Sequence, residues 1–244
     1  MPGPTSVPEV SHSDVHVGEP GLEPGSIVAI ALRMWPVVHE PSHAPRYPLV
    51  RRTIKHREIH VVPRNLEKRA RAITRRVNEL VLPLLADGVH GYRPQHSIHT
   101  AIDHIGRLSG ARIAFDLKSF FASIDKQRLK RQVDRLDPTL WREVDPFLGR
   151  QGLRTGPNFS PMLSNLYLHE LDHRFGWVRY CDNIMIVADE PERVFARARR
   201  HLADIGLECH EVTFDPEIFL GQRVKGGARS RIDVGVGVSH PDTE

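Results

Sequence analysis

The sequence predicts an α+β fold, a sheet packed against helices, and three observations lead to it. Strand-like apolar runs such as Ala111–Asp116 and Trp177–Val187 interleave with stretches whose apolar residues recur every three or four positions. Hydrophobic residues form 40% of the 244 positions, enough for the packed core of one domain with tails. No run of about eighteen apolar residues occurs, so no membrane span is expected. The start, Met1-Pro-Gly-Pro-Thr, has neither the basic region nor the apolar core of a signal peptide. No internal repeat is visible.

Each element follows in order. Residues 1–25 are rich in Pro, Gly, Ser and acids and read as a disordered tail. Ile27–Leu32 reads as a short strand or helix, and Met34–Tyr47, broken by Pro36, Pro41 and Pro45, as a loop. Arg51–Val62 reads as a hairpin. A helix is expected from an Asn65 N-cap to Leu82, with Leu66, Ala70, Ile73, Val77 and Leu80 as its apolar face and Pro83 as its stop. Lys68, Arg69, Arg71, Arg75 and Arg76 line the other face, either a solvated surface or a contact for a phosphate backbone. Ser97 is placed to cap a helix bearing Ala101, Ile102, Ile105 and Leu108. Ala111–Asp116 is a strand ending in a carboxylate. Leu129, Val133 and Leu136 mark an amphipathic helix, and Ser160-Pro161 is an N-cap and first turn for a helix carrying Leu163, Leu166, Tyr167 and Leu171. Trp177–Val187 reads as two strands with a polar turn at Asp182-Asn183. A helix from about Glu192 bears Val194, Ala198, Leu202 and Ile205. Cys209–Phe214, Phe219–Val224 and Ile232–Val238 read as closing strands.

Charge is unevenly placed. Glu9, Asp14, Glu19 and Glu23 are the only charged residues among the first 32, which leaves a net of +8 on the rest of a chain whose formal net charge is +4. A basic body suits a phosphate-rich partner. Two cysteines, Cys181 and Cys209, fit a reducing cytoplasm as free thiols.

Asp116 and Asp182 are the candidate metal-holding residues. If their strands pair, two carboxylates meet at one end of a sheet. Hard oxygen ligands suit magnesium, and such a site suits phosphoryl or nucleotidyl transfer. Taken singly, each aspartate is equally well a turn residue.

From Arg51 to Val224 the order of motifs resembles a bacterial reverse transcriptase of the group II intron, retron and phage-defence kind. Ile54-Lys-His-Arg57 through Pro63 resembles the family's finger strands. Gly91-Tyr-Arg-Pro-Gln-His-Ser97-Ile-His-Thr-Ala101 is similar to its G-[FY]-R-P-x-x-S-x-H-x-A segment. Asp116-Leu-Lys-Ser-Phe-Phe121 resembles the first catalytic motif, Gly152 through Leu168 the next, and Tyr180-Cys-Asp-Asn183 stands where the family writes Y-x-D-D. Ile205-Gly-Leu207 and Phe219-Leu-Gly221 resemble the two motifs that close the palm.

The resemblance implies a right-hand polymerase fold of fingers (26–110) and palm (111–244), the palm an antiparallel sheet packed on helices. The sequence stops where the family continues into a helical thumb, so poor processivity or a partner protein supplying that grip is expected. The implied activity is RNA-directed DNA synthesis from an RNA template and dNTPs, in the cytoplasm, with phage defence as the leading setting. Asp116 and Asp182, with the Leu117 carbonyl, would hold Mg²⁺ (or Mn²⁺). Asn183 would complete the catalytic group. Lys55 and Arg57 would lie near the triphosphate, Phe121 under the sugar as a gate against a 2′-OH, and Thr155, Gly156 and Tyr180 around the nucleotide and templating pair.

The sequence departs from the family at three places. Asn183 replaces the second Asp of Y-x-D-D; its amide can ligate a metal without charge, so weaker metal binding is expected. Arg154-Thr155 replaces Pro-Gln before Gly156, as in some defence-associated members. The lysine expected after Ile205-Gly-Leu207 is absent, with Cys209-His210 nearby. The runner-up is therefore a weakened or inactive member that serves as an RNA-binding scaffold or partner subunit. A third reading comes from His169-Glu-Leu-Asp-His173, which matches the H-E-x-x-H zinc pattern. An acidic Asp172 inside it and the lack of a third ligand at the usual spacing weigh against that reading.

Overall fold

The segment expected as a hairpin is one, with β1 (Val50–Ile54) antiparallel to β2 (Arg57–Val61) and Val50 opposite Val61. The chain is seen here in a computed structural model that describes residues 46–54 and 57–224, with only the backbone at Ile54 and Arg57. The expected tail at 1–25, the segment Ile27–Leu32, Lys55 and the expected strand Ile232–Val238 lie outside the described residues.

Helix α1 spans Arg64–Val81 and buries Ala70, Ile73, Val77 and Val81, with Leu66 and Leu80 half-buried beside them. Its N-cap is Pro63, not Asn65. Extended Pro63 already accepts the Leu66 N–H at 2.9 Å, so the first turn closes before Asn65 can cap it. Pro83 does end it, in a short 3-10 turn at Leu82–Leu84. Ser97 caps α2 (Ile98–Arg107) as expected, in a reciprocal capping box with Thr100.

The central sheet has the order β4-β5-β3-β6, all neighbours antiparallel: β3 (Ala111–Asp116), β4 (Val178–Tyr180), β5 (Asn183–Ala188) and β6 (Thr213–Phe214). The fold is thus the α+β arrangement read from the sequence. Because side chains alternate across a strand, the sheet is covered on both faces. Ile113, Phe115, Ile184 and Ile186 join the main core. They pack there with α6 (Ser160–Phe175) and α7 (Pro191–Asp204), whose buried residues include Leu163, Leu166, Ala198 and Leu202. Val178 and Met185 face a smaller core with Ala101 and Ile105 of α2 and Phe219 and Val224 beyond the sheet.

Between β3 and α6 lie α3 (Phe120–Ser123), α4 (Lys126–Leu136, capped by Asp125) and α5 (Leu140–Val144); the two short helices carry too few turns for a periodic signal. Ser160 is the first residue of α6, not its cap: its N–H donates to the Pro157 carbonyl at 3.0 Å, so the chain is already wound there and Phe159 takes the cap position. The expected strand Phe219–Val224 is instead a tight hairpin, β7 (Ile218–Phe219) with β8 (Gln222–Arg223), turning on Leu220 and Gly221 at positive φ. Of Cys209–Phe214, only β6 is a strand, preceded by a lone bridge between Leu117 and Cys209. Among the described residues, no helix is long and apolar enough to cross a membrane.

Candidate active site

Strand β3 delivers Asp116 to the end of the sheet where β4 turns into β5. In the β3–β5 ladder Asp116 stands opposite Asn183. Residues directly opposite in an antiparallel pair share a face, with Cβ atoms about 5 Å apart. The turn comes one residue earlier than expected. Tyr180 pairs with Asn183, leaving Cys181 and Asp182 as the loop, with Cys181 at φ +58°. Leu117 N–H then donates to the Asp182 carbonyl at 3.1 Å, tying the loop to the residue after Asp116. On the other flank, His210 N–H donates to the Asp116 carbonyl at 2.9 Å and Lys118 N–H to the Glu208 carbonyl at 2.8 Å. The Asn183 side chain donates to an Asp182 carboxylate oxygen at 3.1 Å.

Asp116, Leu117, Asp182 and Asn183 are therefore gathered at one sheet end by backbone pairing. Both carboxylates and the amide are only partly buried. This donor set is oxygen-rich, with no thiolate or imidazole among its ligands, and fits a hard divalent cation such as Mg²⁺ or Mn²⁺.

The described residues expected at the nucleotide lie on α3, at the end of β4, in the loop before α6 and at the start of β2. Phe121 is half-buried on α3, and its ring lies 6.5 Å from that of Tyr92. Tyr180 ends β4 beside Asn183. Leu153 N–H donates to the Phe121 carbonyl at 2.7 Å, and a side chain at Gly152 would overlap that same carbonyl. Thr155 accepts from the His60 N–H of β2 at 2.6 Å. Gly156, at φ +137°, lies so close to His60 that a Cβ would overlap its backbone carbonyl. The loop 152–156 thus runs from Phe121 to the β1–β2 hairpin. The close backbone approach at Gly156 is to the hairpin. Arg57 begins β2, and Lys55 lies outside the described residues.

Two groups escaped the sequence reading. Tyr92, at φ +60°, is an exposed ring near both Phe121 and Cys181, and burial of its hydroxyl together with its bond to Cys181 raises its pKa. Burial likewise pushes the pKa of the Cys181 thiol up, and that of the Cys209 thiol to about 11. The second is a buried network behind the turn. Arg179 of β4, fully buried, pairs with Asp172 of α6 at 2.8 and 2.6 Å and donates to Asn165 and to the Cys181 carbonyl, both at 3.0 Å. Trp177 Nε1 also donates to Asp172, at 2.7 Å. The signal available was Asp172 itself, an acid two turns after Asn165 on the same face of the helix.

The same network accounts for the H-E-x-x-H match. Asp172 is spent on Arg179, while His169 and His173 each place a ring nitrogen on a backbone carbonyl, of Leu166 at 2.7 Å and Leu84 at 2.9 Å. Among the described residues no three His, Cys, Asp or Glu side chains form a metal-holding group.

Comparison with known proteins gives two findings. A family model described as reverse transcriptase (RNA-dependent DNA polymerase) matches residues 50–215, from β1 to just past β6. The chain is also similar to the group II intron-encoded protein LtrA of Lactococcus lactis subsp. cremoris. The two are 35% identical over 107 residues, covering 37% of this chain and 18% of that protein. LtrA of strain MG1363 matches to the same extent. The match thus spans under a fifth of the length of these curated relatives.

Proposed function

The chain belongs to the reverse transcriptase (RNA-dependent DNA polymerase) family, and from that premise we propose that it adds dNTPs to a 3′-hydroxyl opposite an RNA template. The observation that carries this reading is the ladder that sets Asp116 beside Asn183 and, through Leu117, beside the Asp182 turn. Asp116 and Asp182, with the Leu117 carbonyl and the Asn183 amide, would hold two divalent cations, Mg²⁺ or Mn²⁺. Bound there, such ions supply a lowered pKa for the primer hydroxyl and charge neutralisation on the triphosphate.

The chain's own residues do the rest. Phe121 presents a ring beside the sugar position and disfavours a 2′-OH. Thr155, Gly156 and Tyr180 shape the nucleotide side, and Lys55 and Arg57 of the hairpin region supply cations for the triphosphate. The division into fingers at 26–110 and palm at 111–244 belongs to the same reading. A role in bacterial phage defence is supported by Arg154-Thr155 before Gly156, where intron enzymes carry Pro-Gln, and a cytoplasmic setting by the two free thiols.

One observation favours a second reading. Position 183, beside Asp116, is an amide, so the site carries one negative charge fewer than Y-x-D-D. In that reading the same surfaces hold RNA as a scaffold with weakened chemistry. Primer extension on a defined RNA template with Mg²⁺ or Mn²⁺, run beside Asp116→Ala, separates the two. Product from the parent and none from the variant, with RNA affinity unchanged, supports the polymerase. Tight RNA binding with no product under any condition supports the scaffold.

A further inference from the structure

We propose, on the reading of Asp116 and Asp182 as cation ligands, that Arg179 is a positioning residue for Asp182. Its buried guanidinium holds the peptide that precedes Asp182 and thereby sets the carboxylate where it can meet a divalent cation.

The geometry begins with the strand. β4 has three residues, and Arg179 sits at its centre with none of its side chain exposed. Nε and one terminal nitrogen engage both Asp172 oxygens, a bidentate pair that fixes the plane of the guanidinium. The other terminal nitrogen therefore points in one direction, at Asn165 Oδ1 and the Cys181 carbonyl. Four of the five N–H donors of an arginine are accounted for in this way. Asn165 in turn donates to the Gly91 carbonyl at 2.9 Å, and Gly91 is packed so closely on Cys181 that a Cβ would overlap its backbone nitrogen.

The consequence falls on one peptide. The Cys181 carbonyl and the Asp182 N–H share a plane, so Arg179 orients the peptide entering Asp182. Leu117 N–H orients the peptide leaving it, through the Asp182 carbonyl. The backbone is thereby held on both sides of the Asp182 Cα. The loop needs such restraint because Cys181 adopts the left-handed conformation that a residue with a Cβ disfavours. A buried ion pair is weak evidence of stabilisation, because apolar side chains of similar volume commonly replace one without loss. What they cannot replace is the directed bond to the Cys181 carbonyl. Stability and cation affinity should therefore separate on mutation.

The test uses the full chain and Mn²⁺ as the probe, with binding followed by water-proton relaxation and Mg²⁺-titrated primer extension alongside. The double variant Asp172→Leu/Arg179→Met also orphans the Trp177 N–H and Asn165 Oδ1, so its urea midpoint should fall moderately while it stays folded and binds RNA as the parent does. Its Mn²⁺ affinity should fall about ten-fold or more, the loss typical when a group that orients a metal ligand is removed. Its Mg²⁺ requirement for extension should rise in step. Arg179→Lys keeps a charge but not the fork, and should shift the same way. Asn165→Ala leaves the ion pair in place and should weaken Mn²⁺ binding by a few-fold, a readout that survives if the double variant does not fold. Parent-like Mn²⁺ affinity in these folded variants overturns the inference while leaving the cation site standing. Parent Mn²⁺ binding that is indifferent to Asp116→Ala overturns the cation site and the inference together.

Discussion

Asn183 stands directly opposite Asp116 in the β3–β5 ladder, so the residue that departs from Y-x-D-D is the cross-strand neighbour of the first aspartate proposed to hold a cation. Like charges placed opposite one another are destabilising, by roughly 0.2–1 kcal/mol, unless a cation lies between them. Asn183→Asp should therefore lower stability in EDTA and regain it in Mg²⁺. Its primer extension should rise, with a lower Mg²⁺ requirement. Urea melts with and without Mg²⁺ check the first part, and extension rates the second. A variant as stable as the parent in EDTA, with no gain in Mg²⁺, would count against a cation between positions 116 and 183.

Phe121 lies one residue into α3, held by the Leu153 N–H on its carbonyl and by the Tyr92 ring 6.5 Å away. Shortening it to Val should open the sugar pocket. Incorporation of NTP relative to dNTP should rise by about ten-fold or more, which is about 1.4 kcal/mol in the transition state, with dNTP use reduced less. Single-nucleotide insertion with ATP and dATP measures it. An unchanged ratio would mean the ring does not face the sugar.

The parts of the fold that the sequence made legible are those in which local signals and tertiary packing agree. Ala111–Asp116 is a strand to the residue because an apolar run there ends in a carboxylate. Ser97 is a cap because the chain is extended before it and Thr100 answers it. The turn at Cys181 was misplaced by one residue because Asp and Asn are the better turn formers, whereas Cys181 is held at positive φ by Arg179 and Gly91 from other elements. The Arg179–Asp172 pair joins a strand to a helix, and no local pattern reports such a bond. The hairpin at Leu220-Gly221 did carry its signal, a glycine in the second turn position, inside what read as one strand.

Gly156 couples the loop 152–156 to β2. Its φ of +137° is disfavoured for any residue with a Cβ, and that Cβ would overlap the His60 backbone. Gly156→Ala should break the His60–Thr155 bond and destabilise the protein by about 1–3 kcal/mol. Extension should fall by more than the unfolded fraction explains, because the nucleotide side of the site moves with the loop. Urea unfolding and extension, both at saturating Mg²⁺, test this. A stability change below about 0.5 kcal/mol, the range of neutral surface changes, would show that the loop relaxes freely.

His90 links pH to the same strand. It is 4% exposed, with Nδ1 2.8 Å from the Thr100 hydroxyl and Nε2 3.0 Å from His104 Nδ1. Its backbone N–H donates to the Arg179 carbonyl at 2.8 Å. Burial first, then His104 and His96, then Arg93 and Arg107, lower its pKa from 6.5 to about 4. The unfolded chain therefore takes up this proton before the folded one does. The contribution is fully present above pH 6.5 and is lost as pH falls towards 4, at up to about 1.4 kcal/mol per pH unit. His90→Gln keeps a polar group at the site but removes the titration, so its stability should fall less steeply between pH 6.5 and 4.5 than the parent's. Urea midpoints at half-unit steps measure the two slopes. Equal slopes would show that acid destabilisation arises elsewhere. A shallower one would place it beside the segment 88–91, which pairs with β4 and so bears on the strand that carries Arg179 and leads into the Asp182 turn.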